Sequence, residues 1–334
     1  MIPTGIPKVD SLWEHAAEPP IARGDPDAEA VVAIQQLLLG YKASIGIPDG
    51  IFGPGTARAV SVFQGNNGRE PTGQVDHDTL RMLAEKDPPS PIISRAYLAL
   101  VLDCEWSGFN RLVAITAGCE GAGKFAAINP NTDGAGLSFG LIQWAQRPKR
   151  LNELVNAFQQ AQPDRFVEIF GAGELGVASG LLAHTAKPNG GVTDGGKTTD
   201  PAFNLTDDVW TSRFAAAALD RVWQKTQLDC AIAAFRQSCT SIRTFLPVAR
   251  SERAFAFLLD TANQHGDNGL KNICAACVTP VMDEPAALQA IENESVRRVT
   301  RQFGEGSNEV KSTRDRRDLF RTSAALSGDP FQFA

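Results

Sequence analysis

Asp49-Gly50-Ile51-Phe52-Gly53-Pro54-Gly55-Thr56-Ala57-Arg58-Ala59-Val60-Ser61-Val62-Phe63-Gln64 is the stretch that decides how the front of this chain folds. Asp49-Gly50 is a turn signal. Pro54 sits where a helix can begin, and Ala57, Val60 and Phe63 line one face of that helix. Upstream, Val31, Ile34, Leu37 and Leu38 fall at helical spacing, so an amphipathic helix is expected over 29–40. Downstream, Gly73 breaks the chain again. Asp76 is a good N-cap for a short third helix carrying Leu80 and Leu83. Three short helices between 29 and 85 make a compact bundle with a small core.

The run Val31-x-x-Ile34-Gln35-x-x-Leu38, then Asp49-Gly50-Ile51-Phe52-Gly53-Pro54-x-Thr56 with Ala59, Val60, Phe63 and Gln64, then Gly73-x-Val75-Asp76-x-x-Thr79, resembles the peptidoglycan-binding domain family. The resemblance covers 29–85 and departs from the family at Arg69, where an apolar residue is usual. It implies a three-helix module that attaches hydrolases to bacterial cell walls, with peptidoglycan as partner. It also implies ligand contact from a groove near Asp49, Phe52, Gly53 and Thr56. Read from the residues alone, most of the motif is structural. Phe52 and Phe63 supply core area, and the Gly and Pro positions set the angles between helices.

Bulk properties narrow the function classes. The chain has 334 residues, room for two domains. Its net charge of −6 argues against a nucleic-acid binder, which would carry a basic face. No apolar run reaches the roughly 18 residues of a membrane span. Residues 1–24 lack the basic and apolar regions of a secretory signal. The expectation is synthesis in the cytoplasm and action on the wall after release, by phage lysis or specialised export. No HxxEH or HExxH pattern occurs, and Cys274-Ala-Ala-Cys277 stands as a single CxxC, so no metal and no cofactor are expected. The six cysteines leave the redox compartment open.

The organisation expected is an irregular leader over 1–28, the binding module over 29–85, a Pro-rich linker over 86–94 and a catalytic domain over 95–334. Within the last, helices are expected over 95–104, 109–120, 147–160, 207–239, 251–265 and 285–303. Leu137 to Ile142 suits a small hairpin. The Gly-, Pro- and Thr-dense stretch 184–207 reads as disordered or as a functional loop at a cleft edge. The fold class is therefore mainly α, a small three-helix module joined to a larger helical domain with a short β-hairpin.

The chemistry is concentrated between Glu120 and Trp144. Glu120 ends the apolar helix Leu112-Val113-Ala114-Ile115-Thr116-Ala117, and Gly121 and Gly123 stop that helix. A carboxylate there meets the negative end of the helix macrodipole, and partial burial adds desolvation. Both disfavour the ionised form, as a glycosidase general acid requires. Asp133, beyond a Gly- and Asn-rich loop, is the next carboxylate. A helix-end Glu facing a hairpin Asp is a workable acid–base pair when roughly 6.5–9.5 Å leaves room for a water.

This arrangement resembles the lysozyme superfamily. Asp133-Gly134-x-Gly136-x-Ser138-x-Gly140-x-Ile142 is similar to the chitosanase branch, whereas Gly140-Leu141-Ile142-Gln143 looks like the segment of lytic transglycosylases and goose-type lysozymes. The resemblance implies Glu120 as general acid, Asp133 as general base and Ser138 as the hydroxyl that helps hold the attacking water. The loop from Glu120 to Asp133 is shorter than in chitosanases. Gln143 is a candidate hydrogen-bond partner of an acetamido sugar, and Trp144 a sugar-stacking ring or a core anchor. Gln264, on the polar helix end Asp260-Thr261-Ala262-Asn263-Gln264-His265, is a candidate substrate contact. His265 reads as a partner of the last helix carbonyls, and Arg314, Arg316 and Arg317 read as a solvated face. The whole points to a monomeric, inverting cell-wall hydrolase cutting β-1,4 glycosidic bonds of peptidoglycan. The alternatives are a chitosanase-type hydrolase, a lytic transglycosylase and a non-catalytic wall-binding protein.

Overall fold

The computed structural model describes residues 2–132, 134–171, 177–323 and 326–333; the side chains at 120 and 121 lie outside that set. The chain is mainly helical, with one small antiparallel sheet. It divides into two compact units, Met1–Cys230 and Ala231–Ala334.

The first unit opens with α1 (Pro7–Glu14), inside the stretch expected to be an irregular leader. Pro7 presets the first helical turn, and Val9 and Leu12 are buried, which gives this short segment a packing face. The binding module follows as α2 (Ala28–Gly40), α3 (Pro54–Asn66) and α4 (His77–Glu85). Asp27 caps α2, its side chain accepting from the Ala30 amide at 3.0 Å. Asp76 caps α4 by accepting from the Thr79 amide at 2.7 Å, as its sequence position leads one to expect. Leu38, Val60, Phe63, Leu80 and Leu83 form the buried core. The Pro-rich stretch after α4 is held by hydrogen bonds. The Ser90 amide donates to the Gly40 carbonyl, and Arg221 Nε donates to Asp87 Oδ1 at 2.9 Å.

Next come α5 (Arg95–Leu100) and α6 (Gly108–Gly121), then a three-stranded sheet of β1 (Ile128–Pro130), β2 (Leu137–Phe139) and β3 (Trp144–Ala145) in the order β1-β2-β3. Phe139 pairs with Ile128 on one side and Trp144 on the other. The sheet extends the expected hairpin upstream by one strand. Then follow α7 (Arg150–Ala161), α8 (Pro163–Phe166) leading into a π-turn over Val167–Gly171, α9 (Val177–Ala186) and α10 (Asp208–Leu219). The helix expected over 207–239 is broken at Asp220, after which α11 (Arg221–Phe245) begins. Asp220 Oδ1 accepts from the Val222 and Trp223 amides, so a capping side chain interrupts what periodicity alone runs together.

An aromatic cluster anchors the sheet to the helices. The Trp223 ring lies 4.7 Å from Phe158, edge-on, and Phe214 lies 5.0 Å from Phe139 and 5.1 Å from Phe170. Offset and edge contacts of this kind add to the area that each ring buries.

The second unit contains the rest of α11, α12 (Glu252–Cys277), α13 (Glu284–Phe303) and α14 (Asn308–Thr322), the last three packed on one another. The helix expected to end at His265 does break there, because Gly266 has φ 72° and ψ 161°, but the chain resumes helix to Cys277. Among the described residues no disulfide forms, and no helix is long and apolar enough to cross a membrane.

Candidate functional site

In the binding module one side chain organises the Asp49–Thr56 turn. Gln35, buried on α2, donates from Nε2 to Asp49 Oδ1 at 2.9 Å, to Thr56 Oγ1 at 3.2 Å and to the Ile51 carbonyl at 3.3 Å. Its Oε1 accepts from the Asp49 and Gly50 amides at 3.0 and 3.1 Å. Gly50 must be glycine: its φ is +76°, and a Cβ would lie 3.1 Å from the Ala28 carbonyl oxygen. The hydrogen bond from Gln35, followed by that from the Ile51 amide, holds the exposed Asp49 carboxyl below the usual carboxylate range.

The same device recurs one helix later. Gln64 donates to the Gln74 carbonyl and to the hydroxyls of Thr72 and Thr79, and accepts from the Gly73 amide at 3.0 Å. Gly50 precedes Thr56 by the interval that separates Gly73 from Thr79, and Phe52 and Val75 occupy the matching buried position. Both glutamines lie inside the motif quoted from the sequence. Their signal was the recurrence of helix, Gln, Gly turn and Thr, which single-residue reasoning passes over.

This geometry corrects two expected ligand contacts. Phe52 is 1% exposed and belongs to the core, and Thr56 is 4% exposed with its hydroxyl engaged by Gln35. Of the expected groove, Asp49 is exposed and Gly53 half-buried, flanked by the exposed apolar side chains Ile47 and Ile51. Arg69, the departure from the family pattern, ion-pairs with Asp76 at 3.3 Å and Asp78 at 3.1 Å, so its charge has local partners.

In the segment from α6 to β3, Glu120 belongs to the last turn of α6, whose C-cap Ala122 is left-handed with φ 54°. Its side chain and the whole of Asp133 lie outside the described residues. The backbone on either side of position 133 is bound by asparagines. Asn129 Oδ1 accepts from the Thr132 amide at 3.0 Å, and Asn131 Oδ1 accepts from the Gly136 amide at 2.9 Å.

Ser138 is 4% exposed in β2, in register with Asn129 and Ala145. Gln143 has φ 54° and donates to the Ala127 and Gly140 carbonyls at 3.2 and 3.0 Å. Its amide protons therefore fix the turn. Trp144 is 2% exposed, so of its two expected roles, sugar-stacking ring or core anchor, burial makes it a core anchor.

Two further glutamines, not singled out in the sequence, pin this segment. Gln227 on α11 accepts from the Leu141 amide and donates to the Phe125 carbonyl, both at 3.0 Å. Gln146 accepts from the Leu137 amide and donates to the Gly190 carbonyl at 3.0 Å. The Gly- and Thr-rich stretch after α9 is folded against the β1–β2 loop. Asn131 donates to the Gly195 carbonyl at 2.9 Å, Arg147 ion-pairs with Asp194, and His184 stacks on Phe203 at 5.0 Å. The stretch is folded rather than disordered. Gly196 has φ +74°, and a Cβ there would overlap Asn131 Oδ1.

Gln264 lies in the second unit. It is exposed, and its Oε1 accepts from Arg317 at 2.5 Å. The expected solvated arginine face is overturned at two of its three positions. Arg317 is 0% exposed, and both Arg316 and Arg317 ion-pair with the fully buried Asp260. His265 is not a partner of terminal carbonyls. The helix does not terminate there but continues past Gly266, and Nε2 is buried with no hydrogen-bond partner among the described residues.

Compared with known families, residues 27–83 match the family model PG_binding_1, a peptidoglycan binding domain. No curated protein matches the chain. The chain thus carries a module associated with the bacterial cell wall, with peptidoglycan as its partner.

Proposed function

We propose that this chain is a wall-anchored glycoside hydrolase that cleaves β-1,4 bonds of peptidoglycan by inverting acid–base catalysis. The observation that carries the reading is the peptidoglycan binding module at 27–83 on the same chain as a Glu in the last turn of an apolar helix, followed by a small antiparallel sheet. Glu120 is the general acid, giving a proton to the glycosidic oxygen as the bond breaks. Asp133 takes a proton from a water, and the resulting hydroxide attacks the anomeric carbon from the opposite face. In this scheme the Ser138 hydroxyl, carried on β2, helps hold that water. Gln264 and the exposed Asp49 remain candidate sugar contacts.

Parallel digests of purified peptidoglycan and chitosan, with wild type, Glu120→Gln and Asp133→Asn, test the proposal. New reducing ends from peptidoglycan, lost on Glu120→Gln by a factor on the order of 10²–10⁴, are expected. Anhydro ends that survive Asp133→Asn indicate a transglycosylase, and release from chitosan alone indicates a chitosanase. The family match ends at residue 83, which favours a second reading, a non-catalytic wall-binding protein. Under it neither polymer is cut and sedimentation with walls is unchanged by Glu120→Gln.

A further inference from the structure

The second unit holds a groove that the wall chemistry does not use. It lies between the C-terminal end of α11, the last turns of α12 and the loop that follows, and has a volume of about 350 Å³. Its walls are apolar: Phe245, Leu246, Val278 and Met282 contribute hydrocarbon and a pliable thioether. Pro247 and Pro280 also line it, and proline offers no backbone N–H, so the walls are poor templates for an extended peptide. Cys274 is buried against the floor, and burial pushes its thiol up to about 12, so it stays neutral and acts as a small apolar group.

One charged side chain lines the groove. Lys271 is exposed, and no hydrogen bond or ion pair engages its ammonium among the described residues. Such a groove, apolar along its length with a single cation on one side, is complementary to a molecule with an apolar body and one anionic end. The size fits a tail on the order of ten carbons, since each heavy atom needs about the 30 Å³ that a water occupies in the liquid.

We propose that this groove binds a free medium-chain carboxylate, its tail along Phe245, Leu246, Val278 and Met282 and its head group on Lys271. The ammonium donates to the carboxylate, and the tail leaves water for the apolar walls.

The test is titration calorimetry of the full chain at neutral pH with decanoate and, separately, decanol. Saturable one-to-one binding of decanoate is expected. Lys271→Glu weakens decanoate by roughly tenfold or more, while decanol changes by less than about twofold, because only the former loses a charge-assisted bond. Ala275→Trp, at an exposed lining position, fills the groove and abolishes both. Circular dichroism identifies any variant that fails to fold, and Lys271→Gln then replaces Lys271→Glu with the same expectation. The proposal is overturned if wild type shows no saturable decanoate binding, if the folded Lys271 variants bind decanoate as wild type does, or if Ala275→Trp leaves binding intact.

Discussion

The two compact units bury polar side chains by opposite means. In the first, the polar side chains that tie loops to the core are neutral amides: Gln35, Gln64, Gln146, Gln224 and Gln227 are all buried, and each bonds at least two partners. In the second, the core holds charge: Asp260 and Arg317 are 0% exposed, and Glu292 and Glu294 are buried beside arginines. An amide presents a donor and an acceptor at modest desolvation cost, so it can serve several backbone groups at a loop. A buried carboxylate needs matched cations, and removing one partner leaves an uncompensated charge. The first unit is therefore built to hold loops in fixed shapes, as a binding turn requires. The second is built around an electrostatic lock between α12 and α14.

The most severe break in that contrast is Arg317→Met. It strips Asp260 of a buried partner, and chemical denaturation should show a loss of about 3–5 kcal/mol. Combining it with Asp260→Leu should recover much of that loss, since the pair is then replaced by apolar volume; a double variant as unstable as the single one contradicts the lock. Gln35→Leu comes next. It leaves the Asp49 and Gly50 amides and the Thr56 hydroxyl without their partner, at a cost of about 1–3 kcal/mol, and binding to purified walls should fall with it. Unaltered denaturation and wall binding would show that the turn holds itself.

The pH response of the second unit is a smaller effect. Burial, then Arg317 and Arg298, push His265 down to about 4 from 6.5, against the opposing pull of Asp260. The unfolded chain therefore binds more protons between those values. Stability is expected to be unaffected by this group above pH 6.5 and to decline as pH falls from 6.5 toward 4. Thermal midpoints across that range should slope less steeply in His265→Gln. The least consequential change is Arg69→Ala. Its ion pairs with Asp76 and Asp78 are partly exposed, so the denaturation midpoint should shift by less than about 1 kcal/mol equivalent, and less still in high salt.

Much of the architecture was legible in local chemistry. The cap at Asp76, the helix start at Pro54, the turn at Asp49-Gly50 and the strand Leu137–Phe139 each depend on a few adjacent residues. The misreadings share a different origin. Phe52 and Thr56 were placed in a ligand groove by family resemblance, and Trp144 was left between ring stacking and core, because motifs mark positions without saying which way a side chain faces. Arg317 was read as solvated because a run of charges usually is, and its partner lies on α12, far away in sequence.

What the sequence by itself determined is the set of local commitments: helices by their apolar period, turns by Gly, Pro and Asp, and a wall-binding module by a dense motif between 27 and 83. Only the tertiary structure decided which polar groups are solvated and which are locked inside. That choice belongs to pairs of residues such as Gln227 with Leu141 and Asp260 with Arg317, brought together by packing. Burial is a property of the assembled neighbourhood, and no local pattern encodes it.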